Sequence, residues 1–321
     1  MSSVVEIDKL NLSELPACGI YRRRIRLVED ARGESITIPL LIARGENDGP
    51  TLGLTAAVHG DELNGLRVIH KLFSEIEPKE LKGNIIAVPV VNIPGFLEET
   101  RSFNDGNDLN RLMPGRIDGN CAEVYAYRFV NRVVKHFDYL IDLHTASVGR
   151  VNSLYVRANL EHPETAWMAR AQHPRTILHN PSGDGTLRGA AMDLGIPAIT
   201  VEVGDPMRFQ SKMIRYGFLG VANVLSHLKM VDIDEDLPSF EPKICDRSKW
   251  LYTDTGGILR VLVNLNDEVR KGQKLAEVTD LFGEVTREHF APYDGIVIGH
   301  SRNPVNQTGS RIVHLGEIQG T

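Results

Sequence analysis

The sequence predicts an α/β fold with a mixed, mostly parallel sheet and helices on both faces, followed by a small C-terminal all-β, barrel-like domain. Between residues 35 and 229, strand-like apolar runs alternate with helical patterns, as they do in parallel sheets that are covered by helices. After Lys229 only short strand-like runs remain, and turn signals separate them. The length of 321 residues is sufficient for two domains.

The composition is that of an ordinary globular protein. The formal net charge is −6, from 36 Lys and Arg against 42 Asp and Glu, which argues against a broad nucleic-acid partner. No apolar run approaches the roughly 18 residues of a membrane span. The N-terminal segment lacks the apolar core of a signal peptide, and Cys18, Cys121 and Cys245 fit no disulfide framework. We therefore predict a cytoplasmic protein without a nucleic-acid or membrane partner, and a homo-oligomer stays open.

The first elements follow from their apolar patterns. Strands at 22–28 and 36–43 have no helix between them, which predicts a hairpin at a sheet edge. The near-continuous apolar run at 51–58 is typical of a strand that is covered on both faces. An apolar stripe from Glu62 to Phe73 then predicts a helix. A strand at 85–91 and a long loop to Asn120 follow, and structureless loops of this length are often functional.

The second half of this domain continues the alternation. We predict helices at 122–137, Pro163–Ala171, 187–194 and 211–229, and strands at 139–143, Thr176–His179 and Ala198–Val203. An acidic segment with several prolines, from Asp232 to Pro242, then connects to the β unit. The predicted domains are 1–237, the catalytic α/β domain, and 238–321, a C-terminal β cap.

Polar side chains stand at the carboxyl ends of the predicted strands, where open α/β sheets gather their ligands. His59 and Glu62 are three residues apart at the opening of a helix, so both side chains can converge on one point. His144 ends a later strand, and Asp142 faces the same way. These residue types suit a catalytic zinc site with His59, Glu62 and His144 as ligands and Asp142 behind His144. The alternatives are an ordinary strand–helix junction and a buried Asp–His pair.

Glu202 lies inside the apolar strand Ala198–Val203, where a carboxylate without a partner is costly to bury. We interpret it as a general base that takes a proton from an activated water, with a structural salt bridge as the alternative. The long loop contains Arg101 and then the adjacent Asn110 and Arg111. An amide beside a planar guanidinium can hold a carboxylate, and the alternative is a solvated, turn-rich loop.

The chain resembles the succinylglutamate desuccinylase/aspartoacylase family, the deacylase branch of the zinc carboxypeptidase-like enzymes. The resemblance extends over about residues 35–321, and four motifs in the family's order carry it: His59-Gly60-Asp61-Glu62, Asn107-Asp108-Leu109-Asn110-Arg111, Asp142-Leu143-His144-Thr145 and Glu202-Val203-Gly204. It implies a zinc carboxypeptidase-like fold with one Zn²⁺ per chain.

The resemblance also implies a role for each matching residue. It makes His59, Glu62 and His144 the zinc ligands and Glu202 the general base. Asn110 and Arg111 would hold the substrate carboxylate, and Arg101 would polarise the scissile carbonyl. Arg188 is our further candidate for a substrate contact, with an exposed arginine at a helix start as the alternative.

The C-terminal unit resembles a biotinyl/lipoyl-type barrel through Gly257-Ile258-Leu259, the turn at 266–273 and Ala291-Pro292-Tyr293-Asp294-Gly295. Such carriers present a modified lysine on a hairpin tip, but this tip, at 279–284, contains no lysine. We therefore reject a carrier role. In the deacylase family a module of this kind caps the catalytic domain. The histidines of this unit, His289, His300 and His314, lack ligand-like spacing, although one of them could border the site.

The function predicted from these observations is zinc-dependent hydrolysis of the amide bond of a small N-acyl amino acid, or related N-acyl amine, that bears a carboxylate. One alternative is a metallo-carboxypeptidase, which would share the ligands and the Asn–Arg pair. Another is a non-catalytic zinc-binding protein, whose closed site would need a fourth protein ligand. The acyl group stays open, and so does the amine, with aspartate, glutamate and diaminobutyrate among the candidates.

Overall fold

A 14-stranded mixed sheet runs through the protein in this computed structural model, which describes residues 4–181, 183, 185–232 and 240–319. The strands in chain order are β1 (Val5–Ile7), β2 (Gly19–Glu29), β3 (Ser35–Arg44), β4 (Asn47–Ala56), β5 (Lys82–Val88), β6 (Tyr139–His144), β7 (Arg150–Asn152), β8 (Leu154–Ala158), β9 (Thr176–His179), β10 (Ala198–Val203), β11 (Lys243–Tyr252), β12 (Gly257–Val261), β13 (Glu268–Val269), β14 (Lys274–Thr279), β15 (Val285–Phe290), β16 (Gly295–Ser301), β17 (Val305–Asn306) and β18 (Arg311–Ile318). Four of them, β15-β14-β12-β17, form a second sheet.

The centre of the large sheet is parallel, in the order β5-β4-β6-β10. These strands are apolar along most of their length, as strands that helices cover on both faces must be. The register brings the ends of β4, β6 and β10 to one edge, with Ala56 beside Leu143 and Glu202 beside His144. The functional side chains on three separate strands are therefore neighbours.

Helices cover both faces of the sheet, as predicted. They are α1 (Asn64–Glu75), α2 (Ile93–Leu97), α3 (Cys121–Arg132), α4 (Pro163–Ala171), α5 (Leu187–Asp193) and α6 (Ser211–His227). Buried residues of α3 and α5 belong to one apolar cluster, and those of α1, α4 and α6 belong to another. No helix in the described ranges is long and apolar enough to cross a membrane.

Several local predictions are refined by the structure. The predicted hairpin is formed by β2 and β3, and the short β1 pairs with β2 at the edge. The first helix begins at Asn64, so His59 and Glu62 lie in the turn before it, where the Glu62 N–H donates to the His59 carbonyl. The long loop contains α2 and a 3₁₀ turn at Leu109–Arg111. Strands β7 and β8 were not predicted.

The C-terminal strands extend the large sheet. β11 pairs in parallel with β9, and β16 pairs with β7, so the C-terminal unit is hydrogen-bonded to the α/β part at two places. Buried residues of β12, β14, β16 and β18 form a separate apolar cluster. At the hairpin tip without a lysine, Phe282 is 94% exposed. The predicted domain boundary at 237/238 lies outside the described residues.

Candidate active site

All predicted site residues except Asp142 line one cavity of about 400 Å³ at the carboxyl ends of β4, β6 and β10. His59 and Glu62 come from the turn after β4, His144 ends β6, and Glu202 is near the end of β10. Asn110, Arg111, Arg101 and Arg188 line the same cavity. Asp142 does not line it but lies behind His144.

The three predicted ligands converge on one point. The Nδ1 atoms of His59 and His144 are 3.2 Å apart, and they lie 2.8 Å and 2.9 Å from the two Glu62 carboxylate oxygens. Ligand atoms held about 2.0–2.1 Å from a tetrahedral zinc would lie about 3.3 Å from one another. This triangle of two imidazole nitrogens and a carboxylate, with all three residues buried, therefore fits a zinc ion.

Carboxylates orient both imidazoles: the buried Asp142 lies beside His144, and the half-buried Asp108 lies beside His59. Asp142 Oδ2 lies 2.8 Å from His144 Nε2, and Asp142 Oδ1 accepts a 2.6 Å hydrogen bond from the Thr55 hydroxyl. A proton on His144 Nε2 leaves the Nδ1 lone pair free to bind a metal. Asp108 Oδ1 lies 3.1 Å from His59 Nε2 and favours a proton on that nitrogen, which leaves the Nδ1 lone pair of His59 free in the same way. Sequence reasoning placed Asp108 in a motif but missed this role.

In the metal-free cluster, neighbouring opposite charges shift the pKa values of Glu62 and His144. Burial disfavours ionised Glu62, but the two histidines outweigh burial and lower the pKa of this carboxyl. Burial also disfavours an imidazolium at His144, but Asp142 and Glu62 outweigh it and raise the His144 pKa well above 6.5. The surroundings of the cluster therefore favour a positive charge between the three side chains, which a proton or a metal ion can supply.

Glu202 faces the ligand cluster from the next strand. Its side chain is 12% exposed, its Oε2 accepts a 3.2 Å hydrogen bond from the Asn152 amide, and its Oε1 accepts one of 3.2 Å from the Tyr155 hydroxyl. Burial, reinforced by the nearby Glu62 charge, raises the pKa of Glu202. A raised pKa brings a carboxylate closer to the range in which it can accept and return a proton.

Arg101 lies beside the ligands. It donates to Asp108 Oδ2 at 2.9 Å, to Glu62 Oε1 at 3.3 Å and to the Ser147 hydroxyl at 2.8 Å. These hydrogen bonds fix the position of the guanidinium group. The side chain is 32% exposed and lines the cavity. This arrangement places a permanent positive charge next to the cluster.

Asn110 and Arg111 lie together at the 3₁₀ turn. Asn110 Oδ1 accepts the Leu187 N–H at 2.8 Å at the start of α5, so the amide NH₂ is the group that can reach a ligand. Arg111 is exposed and donates to the Asn110 carbonyl at 2.6 Å. Arg188, by contrast, is only 1% exposed and donates to the carbonyls of Asn180 and Pro181.

Several further lining residues were missed by sequence reasoning as members of the site, including Tyr155 and Asn152 beside Glu202 and these five: Arg150, Arg157, Trp250, Arg311 and His314. Two come from the unpredicted strands β7 and β8, and three come from the C-terminal strands β11 and β18. They lie far apart in the sequence and share no spacing that would have signalled them. Of these, only His314 is among the three histidines of the β unit that the sequence left as candidates for the border of the site.

Comparison with known proteins agrees with the geometry. A curated relative, the N-alpha-acetyl-L-2,4-diaminobutyric acid deacetylase of Halomonas elongata, is 28% identical over 315 residues, which cover 94% of this chain and 91% of the relative. Two solved structures share the fold. The product-bound ectoine utilization protein EutE (DoeB) of Ruegeria pomeroyi matches with a TM-score of 0.85, 23% identity and coverage of 94% of this chain and 97% of that one. A succinylglutamate desuccinylase from Silicibacter sp. matches with a TM-score of 0.84, 21% identity and coverage of 95% and 98%.

The sequence profile of the succinylglutamate desuccinylase/aspartoacylase catalytic domain matches residues 48–228, which is more than half of the chain. This range contains the three candidate ligands, Glu202 and the Asn110–Arg111 pair. The chain therefore belongs to the succinylglutamate desuccinylase/aspartoacylase family.

Proposed function

We propose that the protein is a zinc-dependent deacylase that hydrolyses the amide bond of a small N-acyl amino acid. The observation that carries the proposal is the His59–Glu62–His144 cluster with the Glu202 carboxylate on the adjacent strand. Family membership and the named activity of the Halomonas elongata relative support the same reaction class. The predicted cytoplasmic location and the oligomeric state stay predictions.

His59, Glu62 and His144 would hold the zinc ion, with Asp108 and Asp142 fixing the two imidazoles. Three protein ligands leave a position open, which is the arrangement of catalytic zinc sites. Zinc held there would supply Lewis-acid polarisation of the scissile carbonyl and would make water nucleophilic at neutral pH.

Glu202 would move the proton in the reaction. Its carboxylate accepts a proton from water as the new carbon–oxygen bond forms, and it returns the proton to nitrogen as the carbon–nitrogen bond breaks. Tyr155 and Asn152, which donate to the Glu202 oxygens, hold the carboxylate in place. The negative charge that develops on the carbonyl oxygen would lie near the Arg101 guanidinium.

Asn110 and Arg111 would bind the carboxylate of the amino-acid part. The amide NH₂ and the exposed guanidinium both face the cavity from one turn. Arg188 would act on the segment that precedes α5, because it donates to the carbonyls of Asn180 and Pro181. It thereby keeps the rim of the cavity in position.

A metallo-carboxypeptidase would use the same ligands and the same clamp. The C-terminal strands favour the deacylase, because Trp250, Arg311 and His314 line the cavity and narrow the space that a peptide would need. A closed, structural zinc site is disfavoured, because the described residues offer three ligands at this point and no fourth.

The test is a hydrolysis screen of N-acyl amino acids and dipeptides with the zinc-loaded protein. We expect release of the amino acid from the acyl substrates and little cleavage of the dipeptides, and the reverse preference would favour the carboxypeptidase. Glu202→Gln should abolish turnover while zinc stays bound, because the amide is nearly isosteric but cannot accept the proton. Near-normal activity in that variant would remove Glu202 from the mechanism.

A further inference from the structure

The hairpin between β14 and β15 exposes two large apolar side chains at its tip, residues 280–284. Leu281 is 87% exposed and Phe282 is 94% exposed, whereas hairpin tips usually consist of small and polar residues. Neither residue lines the active-site cavity. Apolar residues that are scattered singly over a surface are ordinary, but two adjacent ones on a projecting loop are typical of a contact with another molecule.

Hydrogen bonds within the tip hold its backbone in one conformation. Asp280 Oδ1 accepts the N–H groups of Phe282 at 2.9 Å and Glu284 at 3.0 Å, and the Asp280 N–H donates to the Glu284 carbonyl at 2.9 Å. Gly283 has a φ of +92°, which a residue without a Cβ adopts readily. The tip is therefore preorganised, and a contact made by Leu281 and Phe282 would lose little backbone entropy.

A second cavity, of about 790 Å³, lies at the start of α6, and we call it the α6 pocket. None of its described lining residues lines the active-site cavity. Part of its apolar lining is open to solvent, because Phe209 is 58% exposed and Tyr216 is 40% exposed. The large apolar residues that line it are Phe209, Met213, Tyr216, Leu219 and Phe240.

The tip and the α6 pocket have opposite charges. Asp280 and Glu284 flank the apolar pair of the tip, and residues 280–284 include no basic residue. The α6 pocket is lined by Arg175, Arg208 and Lys212, and its described lining includes no carboxylate. The two surfaces thus match in both apolar character and charge.

Two of the cations at the α6 pocket lie beside aromatic rings. The Arg175 guanidinium carbon is 3.9 Å from the centroid of the Phe240 ring, and Lys212 Nζ is 5.7 Å from that of Tyr216. Within the described ranges, neither cation has a carboxylate oxygen within 4.0 Å. Both charges can therefore pair with an incoming acidic group.

The strand order separates the tip from the α6 pocket of the same chain. β12 runs antiparallel to β14, with Ile258 beside Thr279 and Val261 beside Ala276. The chain after β12 therefore leaves this sheet at the end opposite the tip, and Leu265 of that segment lines the α6 pocket. The six residues of β14, roughly 20 Å, lie between the two ends. A contact between tip and pocket is consequently expected between two copies of the chain.

We propose that the tip of one copy inserts Leu281 and Phe282 into the α6 pocket of a second copy, with its acidic residues facing the cations of the pocket. A two-fold dimer uses this contact twice. Two such contacts would bury on the order of 1,000 Å², which is near the lower limit of specific interfaces. The inference does not rest on the proposed function, because the tip and the α6 pocket share no residue with the active-site cavity.

The first experiment is analytical ultracentrifugation of the full chain over about 1–100 μM, the range in which interfaces of modest area dissociate. We expect a dimer that dissociates on dilution. Leu281→Ser and Phe282→Ser should each raise the dissociation constant about tenfold or more, with an unchanged melting temperature of the monomer, because both side chains are exposed. Leu97→Ser is the matched control, since Leu97 is 75% exposed at the end of α2 and should leave the dimer intact.

A charge exchange tests the pairing of the two surfaces. Glu284→Lys places a positive charge on the tip, and Lys212→Glu places a negative charge at the α6 pocket. Each variant alone should weaken the dimer, and the double variant should recover much of the lost affinity, because the charges are again opposite. A double variant that is weaker than both single variants would overturn the pairing.

A photo-crosslinking phenylalanine analogue at position 282 then locates the contact. We expect links from the tip of one copy to residues 208–216 of another, identified by mass spectrometry. A protein that is monomeric at all concentrations, or an oligomer that neither Phe282→Ser nor Lys212→Glu weakens, would overturn the proposal. Crosslinks to a different surface or to another protein would overturn it as well.

Discussion

Asp142 offers the sharpest test of the proposed metal site, because it touches a ligand and lies outside the cavity. Its carboxylate is fully buried between His144 Nε2 at 2.8 Å and the Thr55 hydroxyl at 2.6 Å. In Asp142→Asn the amide oxygen can still accept from Nε2, but the negative charge behind the imidazole is lost. The expected result is weaker zinc binding with an unchanged fold.

The magnitude follows from the bond that is changed. A hydrogen bond to a charged group contributes roughly 1.5–3 kcal/mol, and its neutral counterpart roughly half of that. The loss of about 0.75–1.5 kcal/mol corresponds to about 4-fold to 13-fold in zinc affinity, at the low end of the roughly 10-fold to 100-fold that changing an outer partner of a metal-bound histidine usually costs. The full effect requires a pH above the raised pKa of His144. At lower pH Asp142 also favours the competing proton, so its removal matters less.

Zinc affinity would be measured by competition with a chromophoric chelator at pH 7 and pH 9, with thermal melting as the check on folding. Asp138→Asn is the matched control. It makes the same chemical change at the other end of β6, where the carboxylate accepts the Thr51 N–H at 2.8 Å. An Asp142→Asn protein that binds zinc as tightly as the Asp138→Asn protein at pH 9 would refute the orienting role.

Three further outcomes are expected. Arg111→Ala should raise KM for carboxylate-bearing substrates about 10-fold to 100-fold with a smaller change in kcat, measured by steady-state kinetics; unchanged kinetics would refute the clamp. In the metal-free protein the His144 pKa is raised, so its stabilising contribution is full below pH 6.5 and is lost as the pH rises through the raised value. Melting temperatures should therefore fall in that window for the metal-free protein alone, and equal slopes with and without zinc would count against the assignment. Gly60→Ala should cost about 1–3 kcal/mol of stability in denaturant titrations, because its Cβ would lie 2.0 Å from the Gly95 carbonyl carbon; wild-type stability would show that this loop can yield.

The sequence was sufficient to predict the cluster of His59, Glu62 and His144, because the information that places these residues is local. Each ligand lies at the end of an apolar strand, and parallel strands bring their carboxyl ends to one edge. The pairing of Glu202 with His144 then follows once β6 and β10 are neighbours. Even the orienting role of Asp142 depends only on the alternation of side chains along β6.

The rest of the cavity depends on contacts between distant parts of the chain. Arg150 and Arg157 lie on short strands, of three and five residues, whose patterns are too brief to distinguish from loop. Trp250 reaches the site because β11 pairs with β18, which sets the indole beside His314. Neither the strand propensity of these residues nor the periodicity of their apolar pattern predicts the register between β11 and β18.

Arg188 shows the same limit at a single residue. The sequence predicts that Arg188 lies at the start of a helix, but it does not predict how deeply the side chain is buried. An exposed arginine was therefore a sound alternative. Its burial follows from the carbonyls of Asn180 and Pro181, which lie close enough to accept its N–H groups. A buried arginine requires such partners, and only the tertiary fold supplies them.

The acidic net charge of the whole chain and the cationic cavity are compatible, because they act over different distances. Surface charges are screened within about 8 Å at physiological ionic strength, whereas charges that line a cavity keep their effect on a ligand inside it. The sign that a substrate experiences is therefore set by the arginines at the site. Part of that charge comes from Arg311 on β18, a strand of the large sheet that pairs with both β11 and β16. The C-terminal strands thus complete the sheet and also supply charge to the cavity, so a change in their register would alter both the stability of the protein and the charge at the cavity.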